Sequence, residues 1–380
     1  MIKAAYIHIP FCEHICHYCD FNKVFLKGQP VDEYLSALEQ EMKLTVETYG
    51  KQPLSTIFVG GGTPTSLSAS QLDRLCAMIN KELSPLPKIE YTFEANPGDL
   101  TEDKLKALYD GGVNRLSFGV QSFNDDLLKR IGRTHKATDV FSSIEAAKKI
   151  GFDNISVDLI YSLPGQTISD FKETLDTAFQ LDIQHYSGYS LIIEPKTVFY
   201  NLMRKGKLPT PGEDVEANMY GLLMEEMEKH GFKQYEISNF AKAGYESLHN
   251  LTYWSNEEYF GIGAGSHGYV AGERRSNFGP LKKYMQPLEE KQFPLLERHL
   301  VTKVEKMEEE MFLGLRKNVG VNLDVFKEKF GENPLNLFDQ EIQSLLAKGL
   351  VVVDDNHLRL SSSGRFLGNE VFQSFIGTLK

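Results

Sequence analysis

Three of the four cysteines, Cys12, Cys16 and Cys19, fall within eight residues of one another, in Ile7-His-Ile-Pro-Phe-Cys-Glu-His-Ile-Cys-His-Tyr-Cys-Asp-Phe-Asn22. This C-x-x-x-C-x-x-C spacing follows a short strand-like run, Ala4 to Pro10, and can gather three thiolates in one loop. Thiolates are soft ligands that select zinc, copper(I) or iron–sulfur clusters. A structural zinc site closes with four ligands, and fully ligated clusters use four cysteines, so three leave one position open. His14 and His17 are close enough to close a zinc clip. The alternatives are three unconnected thiols, or a [4Fe–4S] cluster whose fourth iron is kept for a substrate or cofactor. Cys76 is different. It shares a helical stripe with Leu72, Leu75 and Ile79, behind a Ser68/Gln71 capping box, and reads as a core thiol.

The elements that must position the loop alternate in type. Helical periodicity over Val31 to Tyr49 is followed by a strand from Ser55 to Val59, which leads into Gly60-Gly-Gly-Thr-Pro64. Strands over Ile89 to Ala95, Arg115 to Val120, Asn154 to Tyr161 and Gln184 to Ile193 are separated by helices from Ser68, Thr101, Lys136 and Thr167. Repeated β and α units predict a parallel sheet. Their number, without a spaced dinucleotide glycine fingerprint, predicts a barrel or partial barrel. Alternation puts Tyr6 and His8, Thr92 and Glu94, Ser117 and Gln121, and Ser156 and Asp158 on polar faces opposite apolar ones. Barrel enzymes build their sites at the C-terminal ends of strands. Glu94, Gln121 and Asp158 therefore converge on the mouth where the cysteine loop leaves the first strand.

These residues resemble the radical S-adenosylmethionine enzymes, including the aromatic Tyr18 before the third cysteine. More narrowly, Tyr6-Ile-His-Ile-Pro-Phe-Cys, Gly60-Gly-Gly-Thr-Pro-Thr65, Phe93-Glu-Ala-Asn-Pro97, Gly119-Val-Gln-Ser-Phe123 and Asp158-Leu-Ile-Tyr-Ser-Leu-Pro-Gly165 are similar to the oxygen-independent coproporphyrinogen III oxidase family. The resemblance implies a partial (β/α) barrel in which Cys12, Cys16 and Cys19 hold a [4Fe–4S] cluster. S-adenosylmethionine would chelate the free iron. Gly61, Gly62 and Thr63 would present backbone groups to its methionyl end, and Tyr6, Tyr18, Glu94, Gln121, Arg133 and Asp158 would surround it, with Ile192 near the adenine. The family has an oxidase branch and a heme chaperone branch. Oxidases carry a further cysteine two positions after the third ligand, where this chain has Asp20-Phe21, and a long N-terminal extension. His249-Asn-Leu-Thr-Tyr-Trp254 is similar to the chaperone signature. The resemblance thus implies heme as a ligand, His249 as its axial candidate with His267 second, and a hemoprotein client. The alternative is oxidative decarboxylation of coproporphyrinogen III. No catalytic side chain is assigned, and whether the protein is an enzyme stays open.

Composition bounds the remaining classes. The net charge of −11 gives no field that would draw nucleic acid or anionic lipid. No apolar run approaches the ~18 residues a membrane span needs, and the N-terminus lacks signal-peptide architecture. A cytoplasmic protein is expected, with a homodimer allowed. After about residue 300 helices precede a hairpin across Asp354-Asp-Asn356, a winged-helix-like α+β pattern without a basic recognition helix. The expected division is 1–300 for the barrel and its extension, and 301–380 for the second domain.

Overall fold

A computed structural model describes residues 1–379. Six parallel strands lie side by side in chain order: β1 (Ala4–Ile9), β2 (Thr56–Gly61), β3 (Glu90–Ala95), β4 (Arg115–Gln121), β5 (Asn154–Tyr161) and β6 (His185–Ser190). Between them run α1 (Val31–Tyr49), α2 (Ala69–Leu83), α3 (Glu102–Asp110), α4 (Ala137–Ile150) and α5 (Ile168–Ala178), and α6 (Glu213–Lys229) follows β6. The outward residues Ile7, Ile57, Phe93, Leu116 and Val157 pack with Leu35, Leu72 and Leu105 of the helices into one buried core. Period-2 strands meeting period-3.6 stripes produce this layer. Cys76 lies in it, buried as expected.

The sheet continues past the six predicted strands on both sides. β7 (Lys233–Glu236) and β8 (Asn239–Ala241) extend it antiparallel beyond β6. On the other flank β9 (Tyr259–Ile262) pairs parallel with β1. An antiparallel run then follows through β10 (His267–Val270), β11 (Glu273–Asn277) and β12 (Leu295–Leu300). The order is β12-β11-β10-β9-β1-β2-β3-β4-β5-β6-β8-β7, a curved open sheet rather than a closed barrel. The extra strands are short and mixed in polarity, so no alternation marked them.

The C-terminal segment has its own apolar core, drawn from residues such as Met311, Phe326, Leu345 and Phe375. The expected hairpin is present, Val351–Asp354 against His357–Leu360, and a short strand at Val321–Asn322 completes the wing. Its Arg359 is paired with Asp354.

One buried carboxylate ties the flanking strands to the barrel. Glu41 of α1 is fully covered and accepts from Gly263 N (2.8 Å), Asn277 Nδ2 (2.7 Å) and Tyr284 Oη (2.5 Å). Burial pushes its carboxyl up to about 7, and these donors oppose the rise. All three partners donate, so Glu41→Gln would set an amide N–H₂ against a donor. The expected loss is ~1–3 kcal/mol of unfolding free energy, read by denaturant titration. An unchanged midpoint would show that the carboxylate is dispensable there.

Candidate functional site

The cysteine loop is shaped by where its ends are tied. Phe11–Cys12 and Val24–Phe25 form a short parallel ladder, and Val24 N and Leu26 N donate to the carbonyls of Pro10 (2.8 Å) and Cys12 (2.9 Å). Within the loop, His17 N donates to Ile131 O and its ring nitrogen to Arg130 O, both at 3.0 Å. That bond fixes His17 as a brace. His14 is exposed.

The turn after β2 lies directly under Cys12. A Cβ on Gly62 would come within 2.8 Å of the Pro10 and Phe11 backbone and 3.0 Å of Cys12 Sγ, so only glycine fits. The amides of this turn are already used: Gly61 N donates to Glu94 Oε2 (3.0 Å), Gly62 N to Ile9 O and Thr63 N to Phe11 O (2.8 Å each). What the turn offers a ligand is close approach, rather than the N–H groups.

A chain of polar contacts joins two of the thiols. Thr63 Oγ1 lies 3.7 Å from Cys12 Sγ and accepts from Asn96 Nδ2 at 3.1 Å. Asn96 Oδ1 accepts from Arg133 Nη2 at 2.7 Å, and Arg133 Nη1 lies 3.6 Å from Cys16 Sγ. Arg133 also donates to Gly119 O, while its Nε has no partner. Tyr18 is half-buried beside Cys16 and Arg133, and desolvation raises its hydroxyl above the usual phenol range. Cys12, Cys16, Arg133 and Tyr18 are thus together, as the sequence predicted. Asn96 and Thr63's hydroxyl are the links the residue pattern missed. Asn96 stood within Phe93-Glu-Ala-Asn-Pro97 with no role of its own assigned.

Deeper in the mouth, Glu94 and Asp158 face each other. Burial pushes Glu94 up to about 8, against the Gly61 N–H, with Asp158 adding to the rise. Burial also raises Asp158, opposed by Ser187, Arg115 and Ser117, whose Oγ donates at 3.3 Å. Gln121 ends β4 with φ at 70°, where the β4–β5 register shifts, and is thereby turned across the strand end. Tyr6 Oη donates to His8 Nδ1 (3.0 Å) and His8 Nε2–H to Asn22 O (2.7 Å). Ile192 lies past the end of β6, 68% exposed.

His249 is placed elsewhere. It belongs to α7 (Leu248–Trp254), at the N-terminal end of the barrel strands, opposite the mouth. It is 1% exposed, with Nδ1 3.0 Å from Thr56 Oγ1 and Nε2 2.8 Å from Tyr253 Oη. Burial, then the Arg115 charge, lowers it to about 3. Both nitrogens are committed, so α7 would have to leave its seat before iron could reach the ring. Trp254 stacks under Arg316 at 4.2 Å.

The donor set tests the metal readings. Among the described residues no three His, Cys, Asp or Glu side chains converge on a single-ion site. In a cluster each cysteine binds a different iron, so the thiols need only share a loop. Burial pushes the Cys12 thiol up to about 11 and raises Cys19. Both would need cationic iron to ionise, and the Arg133 guanidinium adds positive charge beside Cys16.

Residues 6–178 match the family described as the Radical SAM superfamily, and residues 301–367 the HemN C-terminal domain. The chain is 58% identical to the heme chaperone HemW of Bacillus subtilis over 379 residues, which is 100% of both chains. It is 34% identical to the mitochondrial radical S-adenosyl methionine domain-containing protein 1 of Mus musculus, over 95% of this chain and 84% of that one. Coproporphyrinogen III oxidase (HemN) from Escherichia coli, described as a radical SAM enzyme, superposes with a TM-score of 0.87 at 25% identity, covering 100% of this chain and 91% of that one.

The Asn96 bridge can be tested directly. Asn96→Ala releases Arg133 and Thr63 together. After anaerobic reconstitution, iron and sulfide content per chain is expected to fall several-fold while circular dichroism is unchanged. Full loading would show that the loop ends suffice.

Proposed function

This chain belongs to the HemW family of radical SAM proteins, and we propose that it is a heme chaperone, binding heme and handing it to a hemoprotein client in a reducing cytoplasm. The observation that carries this reading is end-to-end identity of 58% with a heme chaperone, against 25% with the oxidase of the same fold. The Asp20-Phe21 pair after Cys19 agrees with it. The residues fit a [4Fe–4S] cluster and S-adenosylmethionine. Cys12, Cys16 and Cys19 would hold three irons, with Arg133 and Thr63 hydrogen-bonded to the sulfurs. Tyr6, Tyr18, Gly61, Gly62, Thr63, Glu94, Gln121 and Asp158 would line the S-adenosylmethionine site. When bound and reduced, that pair supplies radical chemistry. The chain's own part is to fix the thiols, shield them and offer carboxylates to a cation. We assign 1–300 to the barrel with its extension and 301–380 to a second domain, supported by two separate apolar cores.

Cluster and branch are checked together. Anaerobic reconstitution is expected to give one [4Fe–4S] cluster by Mössbauer and EPR, abolished by Cys16→Ser and kept in Cys76→Ala. The reduced, loaded protein should leave coproporphyrinogen III intact. Robust formation of protoporphyrinogen IX would favour the oxidase reading instead.

The carboxylates give a pH dependence. Glu94, raised to about 8, holds a proton in the free protein at pH 7. A methionyl amine polarised by iron is an N–H donor that prefers the carboxylate as acceptor, so binding must release that proton. S-adenosylmethionine affinity is expected to rise from pH 6.5 to 8.5, by up to tenfold per unit below the pKa. Glu94→Gln should flatten the profile, measured by calorimetry. A flat wild-type profile would remove Glu94 from the cation's contacts.

A further inference from the structure

We infer that Lys23, four residues past the third cysteine, is a fixed cation of the cluster site that sets its reduction potential. This role rests on the [4Fe–4S] reading above and deepens it. Arg133 brings a guanidinium to the Cys16 side of the loop, and Lys23 brings an ammonium to the Cys19 side.

The backbone around Lys23 is clamped on both sides. Asn22 O accepts from His8 Nε2–H (2.7 Å), and Asn22 Nδ2 donates to Ala264 O (2.8 Å) and Gly279 O (3.1 Å). A Cβ at Gly265 would come within 2.7 Å of Asn22 and one at Gly279 within 2.8 Å, so the segments after β9 and β11 close on that side chain. On the other side Val24 N donates to Pro10 O (2.8 Å) and Leu26 N to Cys12 O (2.9 Å). Lys23 is half-buried between these ties.

From this seat Lys23 Nζ donates to Cys19 O, and it enters no ion pair among the described residues. The carbonyl oxygen and the sulfur of one cysteine are four bonds apart, at most ~5 Å. The ammonium therefore stands within a Debye length (~8 Å at physiological salt) of the Cys19 sulfur, where salt screens it little. Burial raises the Cys19 thiol, and the Lys23 charge is the largest influence opposing that rise. The same charge reaches Cys12. Asp20, exposed and adjacent to Cys19, acts in the opposite sense.

This placement bears on electron transfer. Reduction by one electron adds a negative charge to a site that three thiolates already make electron-rich. A fixed cation nearby stabilises the reduced state more than the oxidised one, so the midpoint potential rises. Cluster potentials follow net charge, hydrogen bonds to sulfur and exposure. Arg133 mixes these influences, because its removal also releases Asn96. Lys23 bonds to a carbonyl and acts through charge.

An EPR-monitored redox titration of the reconstituted full chain tests this, without S-adenosylmethionine and with dithionite as the electron source. In Lys23→Gln the reduced-to-oxidised ratio at a fixed potential is expected to fall tenfold, a midpoint lower by ~59 mV for one electron. Lys23→Arg keeps the charge and should hold the wild-type midpoint. Asp20→Asn should move it upward. Iron and sulfide per chain should be the same throughout. If wild type holds no cluster, the cluster reading itself fails. If wild type is loaded and Lys23→Gln keeps its midpoint, or the two Lys23 variants shift alike, this role is overturned and the cluster reading stands. An unchanged midpoint with weaker S-adenosylmethionine binding would give the ammonium to that ligand's carboxylate instead. Should Lys23→Gln fail to load, a loaded Lys23→Arg at the wild-type midpoint supports the charge, and failure of both overturns it in favour of a structural tie.

Discussion

A loop with three soft ligands and little regular structure has no shape of its own, and fixing it is the constraint on which the mouth of this barrel depends. Ordering such a segment costs ~1–2 kcal/mol per residue. The offset comes from ties that act at a distance in sequence. The Cys12–Phe25 ladder closes the loop, Gly62 lies against the Cys12 sulfur, and Asn96 joins Thr63 to Arg133 so that Cys12 and Cys16 are referred to the ends of two strands. A neutral hydrogen bond contributes about 1 kcal/mol net and one to a charged group about 1.5–3. The guanidinium of Arg133 is therefore the strongest strut, partly buried and with three of its contacts in this one region.

The opposite end of the barrel is closed by different means. Glu90 accepts from Ser247 Oγ, Leu248 N and His249 N, so one carboxylate satisfies the N-terminal donors of α7 and holds that helix against the strand ends. Arg115 is fully buried at this level with no carboxylate in salt-bridge range among the described residues. Burial and its charge keep His185 and His249 neutral. The His-Asn-Leu-Thr-Tyr-Trp segment thus forms a neutral, hydrogen-bonded floor, while ionisable chemistry is confined to the mouth.

Parts of this were legible in the residues because they follow local periodicity. β5 spans Asn154–Tyr161 as alternation predicted, and Glu94 and Gln121 stand at strand ends, while Asp158 lies inside β5, three residues before its end. What stayed hidden depends on contacts across long separations. β7 to β12 are short and carry no alternation, so nothing local distinguished them from loops. Asn96 looks like any residue before Pro97; its role exists only once Arg133 and Thr63 arrive from 37 and 33 positions away. His249 was ambiguous for a related reason. An imidazole beside Tyr253 and Trp254 has the composition of a ligand pocket and of a packed floor alike, and only the partners Thr56 and Glu90 decide between them.

The two ends also differ in what they allow a ligand to do. Freeing His249 for iron would break its bonds to Thr56 and Tyr253 and strip α7 of the Glu90 cap. Each buried group left unsatisfied costs roughly 1–3 kcal/mol, so the combined cost would offset much of the energy of a single axial bond. Heme held there would also be enclosed by strands, with release tied to partial unfolding. A side chain at the mouth carries neither cost. The polar floor and the pinned mouth therefore divide the work physically: one end is sealed to keep the barrel folded, and the other holds the cysteine loop and the turn after β2 in one fixed backbone frame.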